Sequence, residues 1–215
     1  MRGSQAWEYA WIHETSGARG GYKRVFDLTV MVITHLIFLP VWPLFWVLVP
    51  LAIKLEDGGP VFYRQTRLGL NGKPFRIVKF RSMIRNAESR TGPVWADSED
   101  QRITKVGRVL RKTHMDEIPQ FINVIKGEMS LVGPRPERPF LAEQITSEVP
   151  HFPRRLRVKP GITGLAQVRG KYATKPCHKL KYDLLYIDSM GPKADIKLIL
   201  ITSRVLFRRL FSVCS

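Results

Sequence analysis

From Leu28 to Ile53 the chain reads LTVMVITHLIFLPVWPLFWVLVPLAI, 26 residues without a formal charge. A straight helix of that length would reach about 39 Å, enough to cross a hydrocarbon core of roughly 30 Å. Pro40 and Pro43 interrupt the run near its middle, where each removes a backbone donor and crowds the preceding turn. Arg19, Lys23 and Arg24 precede the run, while Lys54, Arg64 and Arg67 follow it, so both ends favour the cytoplasmic side. The pattern predicts a helix broken at Leu39-Pro40 that enters one leaflet and returns to the same face, in preference to one that spans. Each arm, of about 12 residues, would reach roughly 18 Å. Backbone groups freed at the break need partners within the protein, and Thr34 is the nearby candidate. His35 fits a tolerated polar residue, and Trp42 and Trp46 are ordinary in an apolar run. The run starts too late, and lacks the small-residue cleavage site, for a secretory signal.

Beyond this run the periodicity changes. EDGGP (56–60) is a turn signal, and two stretches, VFYRQTRLG and KPFRIVKFRSM, alternate apolar with basic residues on either side of Asn71-Gly72. They predict a β-hairpin, with Val61, Tyr63, Phe75, Ile77 and Phe80 as its apolar content and Lys73, Arg76, Lys79 and Arg81 as its cations. A solvated strand face accounts for about half of those cations. Residues 86–100 are acidic, small and polar, as in an exposed loop. Helical spacing follows at Val106, Val109 and Leu110, then at Ile118, Phe121, Ile122 and Val124, with Lys126 and Gly127 closing the second helix. The last periodic stretch, Asp195 to Phe211, predicts an amphipathic helix that lies on a membrane or packs on the core. The fold class is α+β.

The net charge is +17, from 35 Lys and Arg against 18 Asp and Glu. Such a balance implies an anionic partner: nucleic acid, an anionic membrane surface or phosphorylated substrates. The 44% hydrophobic share excludes a disordered basic tail. Two cysteines, Cys177 and Cys214, and five scattered histidines make neither a disulfide framework nor a zinc site.

Two patterns point to chemistry. Asp116 and Glu117 open the second helix, with Pro119 in its first turn, and the positive end of a helix dipole favours their ionised form. Acidic capping explains such a pair equally well. GPRPERP (133–139) fixes its backbone with three prolines while Arg135 and Arg138 project from it, which suits capture of phosphate. RRLRVKPGITGLAQVRG (154–170) is basic around a Pro160-Gly161 turn, and attraction to anionic lipid is its plain alternative.

The order of these pieces is more specific than any one of them. KRVFD (23–27), the proline-broken run, KFRSM (79–83), DEIPQFINVIKGEMSLVGPRP (116–136), RVKPGITGLAQVRG (157–170) and YDLLYI (182–187) together resemble the bacterial sugar transferase family, the monotopic phosphoglycosyl transferases that initiate exopolysaccharide and related glycans. The resemblance covers about residues 22–211. It implies a re-entrant membrane helix, in which the family usually has Ser where this chain has Leu39 before Pro40. It also implies that Asp116 attacks the β-phosphate of a UDP-sugar, releases UMP and forms a covalent phosphosugar intermediate, which polyprenyl phosphate then accepts. Glu117 would assist by positioning or proton transfer, and Mg²⁺ near Asp116 would offset the diphosphate charge. Lys79, Arg111 and Arg135 match family positions near the phosphates, with Arg81 and Arg138 as further candidates.

The expected organisation is a tail over 1–21, a re-entrant helix over 22–55, a cytoplasmic catalytic domain with interfacial helices over 56–211, and a short tail over 212–215. Expected partners are a UDP-sugar, polyprenyl phosphate, inner-membrane lipid and, in a homodimer, a second copy. Nucleic acid is not among them, since no nucleic-acid motif accompanies the charge. The expected location is the cytoplasmic face of a bacterial inner membrane. No residue selects the sugar.

Overall fold

The computed structural model describes residues 21–87, 100–170 and 175–211. The expected tails, and most of the loop expected at 86–100, lie outside the described residues. The fold is α+β: eight α-helices and two small sheets among the described residues.

The apolar run forms two helices, α1 (Lys23–Ile37) and α2 (Trp42–Asp57), whose axes meet at 89° across a four-residue break. Pro40 lies in the break. Pro43 sits in the first turn of α2, where a missing N–H costs nothing, and Pro50 is inside it. The break satisfies its own backbone: Phe38 N–H donates to Thr34, Leu39 to Leu36, and Val41 and Trp42 both to Phe38. Thr34 therefore contributes its carbonyl, while its hydroxyl donates one turn back to Val30 at 2.8 Å. The turn needs no side chain at position 39. At 15 and 16 residues, neither arm is long and apolar enough to cross a membrane.

Both outer ends of this bent pair are fastened to one domain. Arg24 donates to the carbonyls of Val124 and Ile125, each at 2.6 Å. Lys23 donates to Val132 O at 2.8 Å, to the Tyr186 hydroxyl at 3.1 Å and to Asp195 at 2.9 Å. Asp27 is buried and accepts from Ser130 Oγ and Leu131 N–H. At the other end, Ile53 is buried with Phe80 and Leu110, and Phe45 and Trp46 pack edge-on and tilted against Phe80. The residues flanking the break touch the domain, since His35 and Trp42 stack on each other and both contact Phe121. The remaining faces stay bare: Val32, Leu36, Ile37, Leu39, Val41, Leu44, Val47 and Leu51 are all roughly half exposed or more.

The hairpin forms as expected, with β1 (Phe62–Leu68) antiparallel to β2 (Pro74–Phe80). Asn71 and Gly72 both have positive φ between them. Lys73 and Arg76 are exposed, whereas Lys79 and Arg81 are turned inward. The outer edge of β2 is taken by one side chain: Asn123 accepts from Val78 N–H at 3.0 Å and donates to Arg76 O at 2.8 Å. Next come α3 (Lys105–Thr113), capped by Thr104, a 3-10 turn over Met115–Gln120, and α4 (Phe121–Ile125). Gly127, at φ +79, ends this unit.

A second sheet, parallel, joins β3 (Ser130–Val132) to β4 (Gly161–Thr163). Gly133 and Gly161 allow the two backbones to meet, since a Cβ on Gly161 would lie 2.0 Å from Gly133 N. Between these strands lie α5 (Pro139–Glu148) and a 3-10 turn over Phe152–Arg157; α6 (Leu165–Arg169), α7 (Pro176–Ser189) and α8 (Pro192–Phe211) follow. Of the two placements open for the last helix, packing on the core holds: Asp195 and Leu198 are buried and Thr202 bonds Thr163 at 2.7 Å. Its other face, with Ile196, Leu200 and Phe207, is exposed.

Candidate active site

Asp116 and Glu117 open not an α-helix but a tight 3-10 turn, entered through His114 in the left-handed region. That turn packs against β2, which brings Lys79 to Glu117 at 2.6 Å. Arg135, from the proline-rich loop after β3, donates to both Glu117 oxygens at 2.7 and 3.4 Å. Glu117 is thus clamped between two cations contributed by segments distant in sequence.

The neighbouring carboxylate differs. Asp116 is also buried, but no side chain or N–H among the described residues hydrogen-bonds to it. Its surroundings set its charge in an unexpected direction. A dipole at a helix start would hold Asp116 low, yet burial pushes it up to about 6; Lys79, Arg135 and Arg111 oppose that rise and ionised Glu117 adds to it. A short 3-10 turn has too few aligned peptides to outweigh desolvation. Burial acts upward on Glu117 too, but Arg135 and Lys79 overcome it and hold Glu117 well below the ordinary range. Burial lowers Lys79, against the pull of Glu117. Two adjacent carboxylates therefore carry opposite shifts, one locked as an anion and one titrating near pH 6.

Arg111, on α3, donates through Nε to Ser82 Oγ at 2.9 Å, and its charge is felt at Asp116. Arg81 is engaged elsewhere: it pairs with Asp57 at the end of α2 and lies 3.5 Å from Ile53 O, with only 7% of its side chain exposed. That contact makes Arg81 a tie between β2 and α2. Arg138 is the N-cap residue of α5 and acts electrostatically on Arg67.

Several residues that shape the site lie within the matching motifs without a chemical role evident from the sequence. Asn123 fixes the turn against β2 from a fully buried position. An asparagine in a helical apolar pattern, one residue after Ile122, was the available signal. Buried Arg155, Asp183 and Glu137, with partly exposed Lys179, form a charge cluster that holds the Arg135 loop. YDLLYI supplies Asp183 to this cluster, and KRVFD and YDLLYI together supply Lys23, Asp27 and Tyr186 to the contacts that fasten α1 to β3 and α8.

Comparison with known sequences places the chain that carries this site in a family. The pattern of the Bacterial sugar transferase family matches residues 18–209. The chain belongs to that family. It is 41% identical over 187 residues to UDP-N-acetylgalactosamine-undecaprenyl-phosphate N-acetylgalactosaminephosphotransferase of Aeromonas hydrophila, covering 86% of this chain and 43% of that relative. It is 41% identical over 192 residues to UDP-glucose:undecaprenyl-phosphate glucose-1-phosphate transferase of Escherichia coli K12, covering 87% and 40%. An uncharacterized sugar transferase, EpsL of Bacillus subtilis, is 41% identical over 182 residues and is matched over 85% of both chains. The chain thus spans less than half the length of the first two relatives and most of the third.

Proposed function

We propose that this chain transfers a sugar 1-phosphate from a UDP-sugar to undecaprenyl or a related polyprenyl phosphate, through a covalent intermediate on Asp116. The observation that carries the reading is the asymmetry of the dyad. Glu117 is sequestered by Lys79 and Arg135, whereas Asp116 is unbonded and ionised at neutral pH. A desolvated carboxylate without hydrogen bonds is a stronger nucleophile than a solvated one. An Asp116 oxygen attacks the β-phosphorus, the bond to the bridging oxygen breaks, and UMP leaves with that oxygen. A phosphate oxygen of the polyprenyl acceptor then attacks the same phosphorus, and the acyl-phosphate bond breaks to regenerate Asp116. Two displacements at one phosphorus thus produce a polyprenyl diphosphate sugar.

Lys79, Arg135 and Arg111 supply positive potential around the reacting phosphate, which a carboxylate could not otherwise approach. Glu117 stays ionised at neutral pH, so its part is to hold these cations in place and not to donate a proton. Mg²⁺ belongs to the proposal: Asp116 would hold it, and it would supply Lewis acidity when bound.

The proposed location is the cytoplasmic face of the bacterial inner membrane, with α1 and α2 entering and leaving one leaflet. The bare apolar faces on both arms, and the fastening of both outer ends to one domain, support it. Contact of the residues flanking the break with Phe121 would bring a lipid-borne phosphate close to the dyad turn. The test is incubation of the membrane-extracted protein with a panel of UDP-sugars, followed by intact mass measurement. A sugar-phosphate adduct mapping to Asp116, with equimolar UMP, is the expected result. Adduct or turnover that persists in Asp116→Asn overturns the mechanism.

A further inference from the structure

The loop that presents Arg135 is held by donors from four places. The carbonyls of Pro134, Arg135, Pro136 and Glu137 accept, in turn, from Gly161 N–H at 2.9 Å, Arg155 Nη2 at 2.9 Å, Arg67 Nη1 at 3.2 Å and Leu68 N–H at 2.9 Å. Arg155 is the donor that grips the residue of interest. Its guanidinium, 2% exposed, also holds Asp183 at 2.8 Å and Glu137 at 3.4 Å, and lies 4.8 Å from the centroid of the Phe152 ring. Lys179 completes the pairing of Glu137.

Stability does not account for this cluster. Removing several charges from water costs about as much as their attraction returns, and apolar replacements are commonly as stable. What an arginine adds is a planar fork whose donors point in fixed directions. Here the fork is pinned by two buried carboxylates while one arm fixes the carbonyl of Arg135. The Arg135 side chain is 40% exposed, and its contacts to Glu117 depend on where its own backbone stands.

We propose that Arg155 is a positioning residue: held by Asp183 and Glu137, it sets through the Arg135 carbonyl the place at which the Arg135 guanidinium meets Glu117 and the substrate phosphates. This inference rests on the reading of Arg135 as part of the phosphate-binding machinery. A misplacement on the ångström scale costs roughly ten- to a hundredfold in rate.

A double-mutant cycle tests it, using kcat for UMP release per folded enzyme. Arg155→Lys keeps the charge but not the fork, and Arg135→Gln removes the group being positioned. Arg155→Lys is expected to lower kcat at least tenfold in the native background and less than twofold in the Arg135→Gln background. Equal losses in both backgrounds, or no loss in the native one, overturn the positioning role while leaving the site intact. Full activity of Arg135→Gln overturns the reading of Arg135 and the positioning role with it. If Arg155→Lys does not fold, the isosteric Asp183→Asn, which frees the fork from one anchor, goes through the same cycle with the same outcomes.

Discussion

Removing the proposed nucleophile should make the protein more stable, and by an amount that pH controls. Burial raises Asp116 from 3.8 to about 6 in the folded chain. A carboxyl whose folded pKa lies above its unfolded value binds its proton more tightly when folded. Its favourable contribution is fully present below pH ~4 and is lost as pH rises through about 6. Two pH units correspond to about 3 kcal/mol, the penalty for keeping an ionised Asp116 in its site above pH ~7. Asparagine has nearly the same shape and carries no such penalty. Asp116→Asn should therefore unfold roughly 5–10 °C higher than the native chain at pH 8, with the gap closing towards pH 4. Thermal unfolding in one detergent across that pH series measures it, and activity should be abolished throughout. A gap that does not vary with pH, or a variant less stable at pH 8, would refute the claim that desolvation governs Asp116.

Two further substitutions have defined outcomes. Glu117→Gln removes a like charge that raises Asp116 and leaves Lys79 and Arg135 acting on Asp116 alone, so the acid limb of UMP release should move downward, below about 6; an upward shift would contradict the assignment. Stability should fall by about 3–5 kcal/mol, since one buried cation and one partly exposed one lose their anion. Gly107→Ala should destabilise by about 1–3 kcal/mol in thermal unfolding, because a Cβ there would lie 2.1 Å from the Ser82 carbonyl; an unchanged melting temperature would mean that α3 does not pack on that segment.

The elements that local pattern could reach were legible: the apolar run, its break from Pro40 and the charged flanks, the hairpin around Asn71-Gly72, and the helices at Lys105–Thr113 and Pro192–Phe211. Each repeats its pattern over a length that burial on one face enforces. The dyad was visible as a pair, but not the asymmetry within it. Which carboxylate is clamped depends on Lys79 and Arg135 arriving from 38 and 18 residues away. The sign of the Asp116 shift was hidden for the same reason, since a helix start is read from the sequence while desolvation is set by what packs over it. Lys79 lies near the end of β2 and Arg81 just past it, two residues apart in the same alternating pattern, yet Lys79 reaches the dyad and Arg81 ties down α2. Strand alternation gives the face of a side chain and not the helix waiting there. The buried charges at Arg155 and Asp183 carried no local signal, because burial of a charge is decided by a partner distant in the chain.

Asn123 has a consequence that reaches beyond the site. A two-stranded hairpin exposes a row of unpaired backbone groups along each side, and such rows recruit strands from other molecules. Here a single amide, matching donor to acceptor, occupies the Arg76–Val78 stretch of β2 as a strand would. The same side chain that aligns the turn thus caps the sheet against intermolecular pairing. A chain altered at Asn123 would open the Arg76–Val78 edge of β2 and loosen the dyad turn in the same step.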